Sequence, residues 1–234
     1  MEKLEQTRIK PKLTKYILRA IITFLLFGAM IFLLAGTVNY WQGWAYVVLN
    51  IIIIIITIYI FRDNPELVVE RQKPGPGVKR WDKVFYAVFF PANLAYVVIG
   101  PLDTGRYFWT PELAWYWYLA GFIIYIISHI IKNWAMYANP FFSSMVRIQK
   151  DRGQKVIQEG PYAIVRHPGY TSVFFLGSGT ALIFGSVWAL IPAGLTILLI
   201  FIRTYLEDKT LQNELDGYMD YTKKVKYRLI PGIW

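Results

Sequence analysis

The chain has 234 residues, 56% of them hydrophobic and 18% aromatic, with a mean hydropathy of +0.37, against roughly 45–50% apolar residues in a soluble domain. Twenty-five Lys and Arg against fifteen Asp and Glu give a net charge of +10, but the long apolar stretches between the basic runs exclude a nucleic-acid binder. Zero cysteines and two histidines exclude disulfides, Cys-ligated zinc, iron–sulfur clusters, a thiol nucleophile and a His-rich metal site.

Charges divide the chain. The basic segment 1–19 precedes a window, 20–61, of 42 residues without a charge, which as helix spans about 63 Å and so makes two crossings. Asn39, Tyr40, Trp41, Gln42 and Gly43 interrupt it midway, as a turn in the headgroup region does. The apolar stretch is a full span without a small-residue cleavage site, so a cleaved signal peptide is not expected. Segment 62–83 carries Asn64-Pro65, Pro74-Gly75 and Pro76-Gly77, turn punctuation of a surface connector to which no chemistry is assigned. Windows 84–102 and 113–131, of 19 residues each, are one span apiece.

Window 168–202 has 35 residues with Gly185-Ser186 in its middle. It reads as a tight helical hairpin with arms of about 16 residues, or about 24 Å. Six crossings result, or five if the hairpin is re-entrant. Beyond it, Leu211, Leu215 and Tyr218 form a stripe that suits an amphipathic helix, loosened at Gly217. Segments 1–19, 62–83, 132–167 and 203–234 carry six Lys or Arg each, leaving only Arg106 outside them. The positive-inside rule therefore places both termini and these loops in the cytoplasm, facing anionic lipid. The expected fold is an all-α integral membrane protein of about six transmembrane helices, the last two a tight hairpin, followed by a cytoplasmic C-terminal amphipathic helix. Residues 1–134 are the N-terminal spans, and 135–234 a catalytic unit of loop, hairpin and tail.

Candidate chemistry concentrates in that second unit. The run from Gly160, Pro161 and Tyr162 to Arg166, His167, Pro168, Gly169 and Tyr170 lies where the cytoplasmic loop enters the hairpin. Pro168 disfavours helix at His167 and suits a first helical turn, so unpaired N–H groups and a positive dipole end sit beside Arg166 and His167. This reads as an anion site at a boundary, from which either side chain can be removed without unfolding the protein. The alternative is that Arg166 snorkels to lipid phosphate and His167 bonds locally. Where the hairpin leaves the membrane, Arg203 and Glu207 share a helix face and Asp208 points about 100° away. Both hairpin ends are cytoplasmic, so the two clusters are neighbours, one able to hold an anion and the other a cation; an interfacial ion pair is the plainer reading. His129, Asn93 and Asn133 are expected to bond to neighbouring helices, and Gly177 and Gly179 to allow close packing. No internal repeat is visible, which counts against an inverted-repeat transporter.

The run Arg166-His167-Pro168-Gly169-Tyr170, the hydrophobic hairpin and Glu207-Asp208 resemble the signature of the isoprenylcysteine carboxyl methyltransferase family and the related phospholipid N-methyltransferases. Gly160-Pro161-Tyr162 and Leu229-Ile230-Pro231 fit the same pattern. The likeness covers about residues 139–234; it departs in having Asp208 for a second Glu, Gln154 for a histidine and Ser172 for a glycine. The resemblance implies S-adenosylmethionine as methyl donor and a lipid-like or prenylated acceptor entering from the bilayer. It implies that Arg166 and His167 help hold the donor's carboxylate end, that Gly160, Pro161, Tyr162, Pro168 and Tyr170 shape its pocket with Glu207 and Asp208, and that Arg203 and Glu207 face the acceptor. A carboxylate acceptor needs no strong base, whereas an amine would require Glu207 or Asp208 to take a proton. Phospholipid amine methylation, a dinucleotide-dependent membrane reductase of the sterol-reductase type and a non-enzymatic transporter or scaffold remain the alternatives.

Overall fold

The computed structural model describes residues 21–63, 71 and 75–234. The basic segment 1–20 and Asn64, Pro65 and Pro74 of the next loop lie outside the described residues, together with the sequence expectations that fall on them. Among the described residues the regular elements are all helical. They are α1 (Ile21–Ala35), α2 (Trp41–Ile60), α3 (Arg80–Pro101), α4 (Trp115–Ala138), α5 (Pro168–Phe184), α6 (Leu190–Glu214) and α7 (Tyr218–Lys224). A π-helical turn, Leu102–Tyr107, continues α3, and single 3₁₀ turns cover Lys150–Arg152 and Gly160–Ala163. Helices α2, α3 with its π turn, α4 and α6 are each long and apolar enough to cross a membrane. The large apolar side chains of α2, among them Ile51, Ile52, Ile54, Ile55, Ile56 and Ile58, point outward, as lipid-facing residues do. The protein is a multi-pass, all-α integral membrane protein.

The expected hairpin is present, but its arms are unequal. α5 has 17 residues and ends where Gly185, at φ +72°, takes the left-handed cap that glycine adopts most readily. α6 has 25 residues and runs past the expected end of the span at 202, with Arg203, Glu207 and Asp208 inside the helix. Charge does not end this helix, because its charged groups find partners within the fold. α4 likewise continues through Lys132 and Asn133 to Ala138.

Small residues set the packing around α5. A Cβ added to Gly179 would lie 2.7 Å from the Tyr125 backbone nitrogen, and one on Gly121 2.7 Å from Leu182 Cβ. Gly177 meets Ala193 of α6 in the same way, at 3.0 Å. Close approach of this kind replaces the hydrophobic driving force that helices lack in lipid, and confirms the packing role expected of Gly177 and Gly179. The polar residues of the spans behave less uniformly. Asn133 donates from Nδ2 to Thr57 Oγ1 on α2, as expected of a bond between helices. Asn93 and His129 instead bond within their own helices, to the Phe89 carbonyl and Lys132.

At one end of the bundle the α1–α2 turn, the π turn and the hairpin tip converge. The Tyr40 hydroxyl and Thr104 Oγ1 are 2.8 Å apart, Thr104 Oγ1 donates to the Phe184 carbonyl at 2.7 Å, and Arg106, the isolated basic residue, donates to the Leu33 carbonyl. Asp103, fully buried, gathers this end: it accepts the Thr110 N–H at 2.7 Å, the Thr110 hydroxyl at 2.6 Å and the Ser186 hydroxyl. Exposed Trp41, Trp44, Trp109, Trp115 and Trp188 ring this end, like an interfacial aromatic belt. The opposite end collects residue 71, the start of α3, the segment 139–167 and the end of α6. Asp103→Ala would strand three donors, at about 1–3 kcal/mol for each buried group left unpaired. Its thermal unfolding midpoint in detergent is expected well below that of the parent, with Ser186→Ala intermediate; an unchanged midpoint for Asp103→Ala would remove its anchoring role.

Candidate functional site

The segment after α4 folds by bonding to itself. Asn139 Oδ1 accepts the Phe141 N–H at 2.9 Å, and its Nδ2 donates to the Tyr162 hydroxyl at 3.1 Å. Gln149, 2% exposed, is the knot of the loop: Nε2 donates to the Phe141 carbonyl, the backbone N–H to Gln154 Oε1, and Arg152 donates to Oε1. Gly160 turns the chain at φ +59° against Trp134 and Ala138, where an added Cβ would lie within 3.3 Å of both. Pro161 then opens the 3₁₀ turn that carries Tyr162. The Tyr162 carbonyl accepts the Tyr221 hydroxyl at 2.6 Å, and burial pushes the Tyr162 hydroxyl pKa above its usual range.

Arg166 and His167 run alongside the tail, donating their N–H groups to the Tyr227 and Arg228 carbonyls, both at 2.9 Å. Pro168 occupies the first position of α5 and His167 is its N-cap residue, as the sequence implies. The side chains are not at a boundary, however: Arg166 and His167 are each only 6% exposed. Arg166 holds Asp208 through Nε at 2.8 Å and Nη2 at 2.9 Å, while Nη1 donates to the Val225 and Lys226 carbonyls at 2.8 Å. Burial opposes its charge, and the hydrogen bonds and charge of Asp208 overcome that, so the guanidinium holds its proton more firmly than usual. The expected pair of an anion-binding end beside a cation-binding end is thus corrected for these two residues. They are neighbours, and they neutralise each other.

His167 Nε2 lies 3.2 Å from Asp208 Oδ1, and its ring stacks on Tyr170 at 5.7 Å between centroids. Tyr170 in turn donates to Glu207 Oε2. Arg203 and Glu207 share the face expected of them, but Arg203 pairs elsewhere. Its Nε is 3.0 Å from Asp82 Oδ1, Nη2 donates to Asp82 Oδ2 and the Ser144 carbonyl, Nη1 donates to the Tyr86 hydroxyl, and the cation lies 4.7–5.0 Å from the Tyr86, Phe85 and Tyr170 rings. Asp82, fully buried, also accepts the Val146 N–H at 2.7 Å. A segment read as having no chemistry therefore supplies the counter-ion of Arg203. In sequence Asp82 looks like any acid in a first helical turn, and nothing there points 121 residues ahead.

These elements enclose a cavity of about 270 Å³. Of the residues singled out in sequence, Tyr162, Arg166, His167, Tyr170, Arg203 and Glu207 line it. Gly160, Pro161 and Pro168 set the backbone around it, and Asp208 lies behind the lining. With six donors on its two oxygens, Asp208 has no capacity left to take a proton from a reactant. Among the described residues Glu207 is the one carboxylate in the lining, which also holds the cations of Arg71, Lys132, Arg147, Lys155, Arg166 and Arg203. Arg147 was not foreseen: it pairs with Asp151 at 2.8 Å, but its buried Nε has no partner among the described residues. The loop's mixture of basic and aromatic residues was its only sequence signal.

Residues 120–213 match the family model described as Isoprenylcysteine carboxyl methyltransferase (ICMT) family. Two rice proteins, from Oryza sativa subsp. indica and subsp. japonica, each called "Probable protein-S-isoprenylcysteine O-methyltransferase", are 27% identical over 120 residues, 49% of this chain and 63% of theirs. The "Protein-S-isoprenylcysteine O-methyltransferase B" of Arabidopsis thaliana is 29% identical over 73 residues, 30% of this chain and 37% of its own. The matched segment carries most of α4, the loop that closes the cavity, α5 and nearly all of α6, and through it this part of the chain is similar to the isoprenylcysteine carboxyl methyltransferase family.

Proposed function

We propose that the protein is an S-adenosylmethionine-dependent methyltransferase that esterifies the carboxylate of an isoprenylcysteine-type lipid at the cytoplasmic membrane face. The observation that carries this reading is the cavity itself, built by the family-matching segment at the end of the bundle where the Lys and Arg collect. Its lining suits a zwitterionic donor: the Arg147 Nε is a buried donor without a partner among the described residues, the Tyr162 and Tyr170 rings offer apolar faces, and Glu207 is available to a positive centre. When bound, the donor supplies a methyl on a positively charged sulfur, which passes to the acceptor oxygen as the C–O bond forms and the C–S bond breaks.

The chain's own contribution is alignment and exclusion of water. Asp208 holds Arg166 and His167, and with them the entry of α5. Asp82, Ser144 and Tyr86 hold Arg203, leaving one hydrogen on Nη1 for a carboxylate. Glu207, oriented by Tyr170, repels a second anion from the place of the positive sulfur. Among the described residues six cations line the cavity with one carboxylate, and although Arg147, Arg166 and Arg203 are paired with Asp151, Asp208 and Asp82, this lining favours an anionic acceptor over an amine.

Calorimetry in detergent separates this reading from a reductase or a transporter: S-adenosylmethionine or its demethylated product is expected to bind and NADPH is not. His167→Ala is expected to weaken donor binding by about 1–3 kcal/mol, and unchanged affinity would remove His167 from the donor site. Arg166→Ala acts differently, because it leaves a buried carboxylate without its bidentate partner. It is expected to lower stability by about 3 kcal/mol, visible as a lowered unfolding midpoint, and a normal midpoint would contradict its role as a tie. At saturating donor, Glu207→Gln is expected to slow methyl transfer to a prenylcysteine analogue by about tenfold or more, or about 1.4 kcal/mol. Normal turnover of this variant would overturn its placement at the reaction site, and faster methylation of phosphatidylethanolamine than of the prenylcysteine analogue by the parent would overturn the acceptor.

A further inference from the structure

Helix α4 is shared by two cavities. Ser128 and Lys132, four residues apart, line the cavity described above, whereas His129 and Asn133, the next residues along, line a separate groove of about 430 Å³ between α2 and α4. Its walls are Ile53, Ile56 and Ile60 of α2 with Ile126, Ile130, Trp134 and Tyr137 of α4. Most of these are exposed on the lipid-facing surface, so whatever enters comes from the bilayer.

Two buried polar atoms interrupt this apolar lining without a partner among the described residues: His129 Nε2 and Asn133 Oδ1. Their hydrogen-bonding roles follow from their neighbours. The Lys132 ammonium, 3.0 Å from His129 Nδ1, has only hydrogens to offer. Nδ1 is therefore the acceptor, and Nε2 carries the ring hydrogen. Asn133, 7% exposed, donates from Nδ2 to Thr57 Oγ1 at 3.1 Å, and in this orientation its Oδ1 is a vacant acceptor among the described residues. The groove thus presents one donor and one acceptor at positions four apart on one helix, about 5–6 Å between their Cβ atoms. Leaving both unpaired in hydrocarbon is costly.

We propose that this groove binds a membrane lipid whose polar head is a single free hydroxyl, a long-chain alcohol. A hydroxyl accepts one hydrogen and donates another, so it satisfies His129 Nε2–H and Asn133 Oδ1 together while its chain lies along the isoleucines. A carboxylate would meet the Asn133 oxygen with a second acceptor, and an ammonium would meet the His129 hydrogen with a second donor. The depth agrees with this occupant. Asn133 lies five residues from the end of α4, or about 7 Å at 1.5 Å per residue, with Trp134 and Tyr137 nearer the interface. Lys132, reaching His129 from the main cavity, joins the two sites through one hydrogen bond.

The test uses the full chain in lipid nanodiscs with a hexadecanol probe that carries a photoreactive diazirine in its chain, followed by mass spectrometry of the labelled peptides. Labelling is expected on the Ile53–Ile60 or Ile126–Tyr137 stretches and is displaced by unlabelled hexadecanol. Its methyl ether, which cannot donate to Asn133, is expected to compete about tenfold more weakly, the ratio that one lost hydrogen bond of about 1.4 kcal/mol gives. Asn133→Leu and His129→Phe are expected to reduce labelling at these stretches while labelling elsewhere stays as before. Equal competition by alcohol and ether, or unchanged labelling in folded variants, would overturn the proposal. The competition arm needs no variant, so it decides the matter even if a substitution unfolds the protein.

Discussion

Asp208 is a carboxylate, 1% exposed, with three donors on each oxygen: Arg166 Nε, His167 Nε2 and the Tyr218 hydroxyl on one, and Arg166 Nη2, Gln212 Nε2 and Arg228 Nε on the other. These donors come from the entry of α5, from α6 itself, from α7 and from the tail. An ion taken out of water is stabilised only when nearly every lone pair is met, and here the requirement is met by segments with no other reason to converge. The wall of the cavity is a consequence. Tyr218 reaches Asp208 only if α7 folds back over the end of α6, and that brings Tyr218 and Tyr221 into the lining.

The same device recurs twice. Asp82 draws Val146 and Arg203 to the start of α3, and Asp103 draws Thr110 and Ser186 to its far end. Each of these three aspartates is essentially inaccessible, and each joins segments far apart in the chain. In a bundle whose helices gain little hydrophobic energy from one another in lipid, such points fix how the helices dock. None of the three lines the cavity. Among the described residues its single carboxylate is Glu207, which is only partly buried and takes one hydrogen bond there, from Tyr170. A glutamate and an aspartate adjacent in sequence thus play opposite parts, because one residue along α6 turns the side chain by about 100°.

Much of the architecture is legible in the charge pattern, since the cost of a charge in hydrocarbon forces spans to be uncharged. The α1–α2 turn, the hairpin turn at Gly185 and the gathering of the described basic residues of 132–167 and 203–234 at one end all follow from it. Helix ends are not legible by that rule. α4 and α6 continue past their first charged residues because Lys132 and Arg203 meet partners inside the fold, and partners are a property of three dimensions. The motif residues Tyr162, His167, Tyr170, Arg203 and Glu207 do reach one cavity, but their roles could not be read in advance. Arg166 looked free for an anion because sequence shows its proximity to a helix start and not the carboxylate 42 residues away.

The placement of Arg203 shows why such a site needs more than one helix. Its guanidinium is set among the Phe85, Tyr86 and Tyr170 rings, with Asp82 and the Ser144 carbonyl taking most of its hydrogens. A guanidinium is fixed by its planar fork of donors, so four directions of contact leave it little freedom to follow a mobile ligand. The groups that hold it belong to α3, to the loop after α4 and to α5, so its position reports the docking of all three against α6. A lysine there would keep the charge and lose the fork. The cation would then be less firmly held, and the alignment that the proposed in-line transfer requires would no longer be set by the fold.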